Sequence, residues 1–84
     1  MNAYDVNLVF NGETDAGHYK VDISVLTSNG KTERRSNGKY VISALPTIKE
    51  VFSWSLLCDI PNVTKSDRIV MAEYITRRLK EKLL

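Results

Sequence analysis

A chain of 84 residues, 43% hydrophobic and 26% charged, is too apolar for disorder and long enough for one modest core. Folding would bury roughly 60 to 70% of the surface exposed by the unfolded chain, which leaves little room for a deep enclosed active site. Twelve Lys and Arg against ten Asp and Glu give a net charge of +2, so an electrostatic function must rest on local clusters.

The first residues have no basic n-region followed by an apolar h-region, the mark of a secretory signal. No window approaches the roughly 20 apolar residues that span a bilayer. Cys58 is the single cysteine, which excludes an intramolecular disulfide and fits a reducing compartment. A soluble cytoplasmic protein with no membrane partner is the expectation.

Three strands are predicted in the first half. In residues 4–10, Tyr4, Val6, Leu8 and Phe10 alternate with Asp5 and Asn7, the period of a half-buried strand. Asn11-Gly12 and a polar stretch to Gly17 follow. Over residues 18–28, Tyr19, Val21, Ile23 and Val25 share one face against Lys20, Asp22 and Ser24. The third run, 39–45, sets Tyr40, Ile42 and Ala44 against Val41, Ser43 and Leu45, and Pro46 ends it because proline cannot donate to a ladder.

Between the second and third runs lies SNGKTERRSNGK, residues 28–39, in which Ser-Asn-Gly-Lys occurs twice. Asn-Gly supplies the positive φ values of a type I′ turn, so the two copies read as recurring turn chemistry. A repeat architecture would need a period of about twenty residues or more. Either residues 31–36 form a short edge strand between two tight turns, or 29–38 form one long hairpin loop. The loop with a partly ordered arm is the favoured reading.

Residues 47–58 carry two signals. Thr47-Ile48-Lys49-Glu50 is a capping box that starts a helix near Ile48, while Phe52-Ser53-Trp54-Ser55-Leu56 alternates as a fourth strand would. The Pro-Thr opening and the closing Asp59-Ile60-Pro61 favour a short helix. The last element is plainer. Thr64-Lys65-Ser66-Asp67 caps a helix over 65–83, in which Met71, Ile75, Leu79 and Leu83, widened by Ala72, form an apolar stripe. Glu73 and Arg77 stand at the spacing of an i,i+4 ion pair. The expected fold is α+β: a three-stranded antiparallel meander, four-stranded if 47–58 is extended, with helices on one face.

The residues that carry chemistry are sparse. His18 and Cys58 are the only residues of their types, so no zinc ligand set exists. Glu13, Asp15 and His18 lack the pattern of a calcium loop. Cys58, in the apolar run Leu56-Leu57-Cys58, reads as a small core residue and not as a nucleophile paired with His18. The Ser-Asn-Gly-Lys copies have the wrong spacing for a Walker or dinucleotide loop. Neither an enzymatic activity, a catalytic residue, a metal nor a cofactor is expected.

Two basic clusters remain. Lys31, Arg34, Arg35 and Lys39 surround Glu33 in the hairpin arm, and Arg77, Arg78, Lys80 and Lys82 crowd the last turns of the final helix. Such cations serve structure when they complement a helix dipole or keep a sheet edge from aggregating. They serve function when they offer a positive patch to an acidic protein surface or to phosphates. Trp54, the only tryptophan, is a core anchor or an exposed interface anchor, with the core favoured.

Small size, a meander followed by a helical second half, and no catalytic motif make a layout that resembles the small accessory proteins of tailed bacteriophages and prophages. The resemblance implies a protein that acts by binding in the bacterial cytoplasm, often on a host machine. The expected function is a non-enzymatic protein-binding module, with the arm 29–39 as its most accessible surface and an exposed sheet edge able to take a partner's strand. The alternative is a small nucleic-acid-binding protein that uses both basic clusters. Self-association through a sheet edge is a third possibility.

Overall fold

The computed structural model describes residues 3–61 and 63–84. Three strands, β1 (Ala3–Glu13), β2 (Tyr19–Ser28) and β3 (Glu33–Ile42), are followed by α1 (Ile48–Phe52), α2 (Ser55–Cys58) and α3 (Lys65–Leu83). The strands form one antiparallel sheet in the order β1-β2-β3, with the helices on one face. The fold is α+β, as the periodicities indicate.

The register explains why one face is covered. Leu8 lies opposite Ile23, Val6 opposite Val25 and Phe10 opposite Val21, so the apolar series of β1 and β2 fall on the same side of the sheet. Val21, Ile23 and Val25 are buried there against Val51, Leu56, Leu57, Met71, Ala72, Ile75 and Leu79. Burying each large aliphatic side chain contributes about 1.5–3 kcal/mol. The opposite face stays open: Val9 and Val41 are exposed on it, and Asn11 Nδ2 donates to Asp22 Oδ2 at 2.7 Å across the strands.

Three local expectations need correction. The third strand runs from Glu33 to Ile42, not over 39–45, and the arm is neither a long loop nor a strand between two turns. One turn, residues 29–32, joins β2 to β3. In it Gly30 takes φ 94°, and Asn29 Oδ1 accepts from the Thr32 amide at 2.9 Å and the Lys31 amide at 3.2 Å. Asn37-Gly38 lies in the middle of β3, with Gly38 opposite Ile23 and without a positive φ. Asn11-Gly12 likewise makes no turn. It sits at a register shift between Phe10 and Glu13, where Gly12 takes φ 103°, the mark of a bulge. The β1–β2 reversal comes later, with the Gly17 amide donating to the Thr14 carbonyl at 2.9 Å.

Residues 47–58 are helical, in two pieces. Thr47 Oγ1 accepts from the Glu50 amide at 3.1 Å to start α1, and the chain breaks at Ser53-Trp54 before α2. In one continuous helix Leu56 and Leu57 would stand about 140° and 240° around the axis from Val51. The break resets that phase, so all three are buried together. A continuous helix could not bury all three on one side.

The capped helix read over 65–83 is α3, with Thr64 Oγ1 accepting from the Asp67 amide at 3.0 Å. Its stripe Met71, Ala72, Ile75 and Leu79 is fully buried. Val70 and Tyr74 lie beside Tyr4 and Val6, whereas Lys82 lies over Phe10 and Tyr19. Helix α3 therefore runs along β1 in the same direction.

Candidate functional site

The two edges of the sheet are built differently, and the candidate site follows from that difference. On β3, Ser36, Gly38, Tyr40 and Ile42 face the helices. Ser36 Oγ donates to the Leu56 carbonyl at 2.7 Å, and the Tyr40 ring stacks on Trp54 with centroids 4.1 Å apart and planes 16° apart. A Cβ on Gly38 would stand 2.5 Å from Cε2 and 2.6 Å from Cζ of Tyr40. Glycine is needed there because the aromatic ring lies across it. Burial of the Tyr40 phenol raises its pKa above the ordinary 10.0, against the lowering effect of a hydrogen bond with the Leu56 backbone. Trp54 is thus half-buried in a stack against the core, and β3 is fastened to α2.

The arm cations do not form one patch. Lys31 sits in the turn. Arg34 faces the helix side, opposite Thr27, whereas Arg35 and Lys39 point to the open face opposite Leu26 and Asp22. Arg34 and Arg35 meet only at the rim of a recess of about 470 Å³ that also takes in Asp59. All four are exposed, along an edge that also carries Glu33.

The second basic cluster lies at the other end of the sheet. Lys82 is over Phe10 and Tyr19, 5.5 and 6.0 Å from the ring centroids. The β2–β3 turn is a strand length away, about 30 Å along β2. Arg78 donates to Tyr74 Oη at 2.9 Å and pairs with Glu81 at 3.6 Å, and Arg77 covers the Tyr74 ring at 5.4 Å. Lys80 is exposed. These cations are largely engaged with their own surroundings.

The β1 edge has a different character. Between Tyr4 and Phe10 its only charge is Asp5, and its outer edge pairs with no strand of the sheet. Beside it opens a groove of about 450 Å³ between β1 and α3. Tyr4 and Val70, which are 38% and 50% exposed, and Val6 and Tyr74 form its apolar lining, with Glu73 and Arg77 at the rim. The expected Glu73–Arg77 pair is not formed; among the described residues the one ion pair is Arg78–Glu81. An unpaired strand edge beside an apolar groove offers main-chain hydrogen bonds and side-chain pockets together, the two requirements for adding a strand.

Sequence reasoning foresaw an exposed edge in general terms but not these residues. The signal was Val70, an apolar position outside the buried stripe of α3, with no local reason to be apolar.

Cys58 departs from its expected place. It is exposed, its thiol donates to the carbonyls of Phe52 and Ser53 at 3.6 and 3.5 Å, and Arg68 Nη2 donates to its sulfur at 3.4 Å. The buried positions of its run are Leu56 and Leu57.

Comparison with protein-family models, curated proteins and solved structures finds no match to this chain. The functional reading therefore rests on geometry.

Proposed function

We propose that this protein is a non-enzymatic protein-binding module whose binding surface is the β1 edge with the adjoining groove of α3. The observation that carries the reading is the contrast between the edges. Strand β3 carries exposed charges and is fastened to α2, whereas β1 presents an unpaired, nearly uncharged run beside exposed Tyr4 and Val70. Native proteins commonly blunt an edge with charge or cover it unless a partner uses it. The resemblance of the layout to phage accessory proteins accords with a binding role in a bacterial cytoplasm.

The nucleic-acid reading has less support. A phosphate-tracking surface gathers cations along one groove and interleaves aromatic platforms. Here Lys31, Arg34, Arg35 and Lys39 are split between faces, the helix-end cations lie at the opposite end of the sheet, and Tyr40 is engaged by Trp54.

The test uses the tagged chain as bait in bacterial lysate, with and without nuclease, washed at low and high salt. A stoichiometric protein retained through nuclease and high salt is expected. Recovery of nucleic acid alone, lost as salt rises and abolished by replacing the four arm cations with Ala, would overturn the reading, because phosphate contacts give a steep salt dependence.

A further inference from the structure

Side chains alternate along a strand, and residues opposite each other across a ladder point to the same side of the sheet. A segment added to the β1 edge therefore meets two surfaces in turn. Beside Tyr4 and Val6 its side chains enter the groove of about 450 Å³ between β1 and α3. Beside Asp5 they point to the open face, as Asp5 and its cross-strand neighbour Leu26 do.

The two surfaces ask for different chemistry. The groove is lined by Tyr4, Val6, Val70 and Tyr74, and the charges of Glu73 and Arg77 on its rim offset each other. Arg77 is also drawn over the Tyr74 ring, 5.4 Å from its centroid. An apolar side chain suits this surface, because it would cover Tyr4 and Val70, which are exposed in the chain alone.

On the open side Asp5 is exposed, is the one charge of β1 between Tyr4 and Phe10, and has no ion-pair partner among the described residues. Leu26 separates it from Arg35, two strands away in the same row. Opposite charges facing each other across a strand pair stabilise it, and like charges weaken it. A cation opposite Asp5 is therefore favoured and a carboxylate is not. The single charge also sets the register, since a cation two residues out of step towards Phe10 would face the uncharged Asn7.

We propose that the β1 edge takes an extended segment of a partner protein with the pattern apolar–basic–apolar. Its Lys or Arg lies opposite Asp5, and the apolar neighbours enter the groove. The inference rests on the protein-binding reading and specifies the chemistry of the partner. The pattern is symmetric, so it holds for either strand direction.

The probe is the acetylated and amidated peptide Ser-Thr-Val-Lys-Val-Thr-Ser, titrated into the isotope-labelled full chain and followed by NMR amide shifts. Circular dichroism checks that variants fold. Amides of residues 4–8 and 70–77 are expected to move, and those of residues 33–39 to stay. Replacing the peptide's Lys by Glu should weaken binding about fivefold. Exchanging each Val with its outer Thr neighbour, which keeps composition and charge, should weaken it about tenfold. Asp5→Lys, at an exposed position, should invert the preference in favour of the Glu peptide, a reversal that damage to the fold would not produce.

Equal affinity for the Lys and Glu peptides overturns the proposal. So do shifts confined to β3, or no shift up to about millimolar peptide. If the peptides fail but the chain captures a protein that Val70→Asp releases, the apolar–basic–apolar occupant is wrong and the binding reading stands. If nothing is captured either, both fail.

Discussion

Strands β1 and β3 flank the same central strand, yet they solve the edge problem in opposite ways. Strand β3 is polar from Glu33 to Lys39, and that stretch would be poorly held by burial alone. It is secured from the helix side by the Ser36–Leu56 hydrogen bond and the Tyr40–Trp54 stack, and its solvent side carries Arg35 and Lys39. Strand β1 is held by apolar burial of Leu8 and by α3, and leaves an apolar groove beside an unpaired backbone. The difference teaches that charge on an edge and anchorage of that edge are separate properties. Here one unpaired edge is both anchored and charged, and the other, apolar one is the edge proposed to take a partner.

The largest expected effect comes from removing the anchor of β3. Trp54→Ala removes the ring against which Tyr40 stacks and should cost about 3 kcal/mol, towards the lower end for a large aromatic because Trp54 is only half-buried. Denaturant unfolding measures it. Gly38→Val drives a side chain into the Tyr40 ring, which Trp54 prevents from moving aside, and should cost about 2 kcal/mol. If Gly38→Val is neutral in the same assay, the account of that glycine is wrong.

A change at the helix that flanks β1 is smaller. Thr64→Ala removes the cap of α3 and should cost about 1 kcal/mol by thermal or denaturant unfolding. The smallest effect is a pH dependence confined to β3. The Tyr40 pKa is raised in the folded state, so its contribution is complete below the unfolded value of about 10 and is lost as pH rises through the folded value. Tyr40→Phe should therefore lose less stability than the wild type between neutral pH and the alkaline range. Parallel curves for the two proteins would remove the burial argument.

What could be read from the sequence was what local periodicity and capping control. The stripe of α3 and its Thr64 cap, the alternation of β2, and the Thr47 start of α1 all depend on residues within one or two turns of each other. The misread positions depend on distant partners. Gly38 sits under Tyr40 because Trp54, fourteen residues further on, holds the ring down, so Asn37-Gly38 resembled a turn. The alternation of residues 52–56 came from a helix break, which resets the phase of burial and imitates a strand.

The candidate site was harder still. Its groove joins Tyr4 and Val6 to Val70 and Tyr74, more than sixty residues away, and no local pattern links them. The arm cations were conspicuous in the sequence because Arg34 and Arg35 are adjacent and Lys31 and Lys39 lie close on either side. Consecutive residues in a strand point to opposite faces, which is why Arg34 and Arg35 part company.

Residue-resolved amide hydrogen exchange of the chain alone and with the protein it captures tests the contrast most directly. The account predicts that the outward-facing amides of residues 4–10 gain protection when that protein is bound, while those of residues 33–39 do not change. Equal behaviour at the two edges, or protection gained on β3 alone, would contradict it.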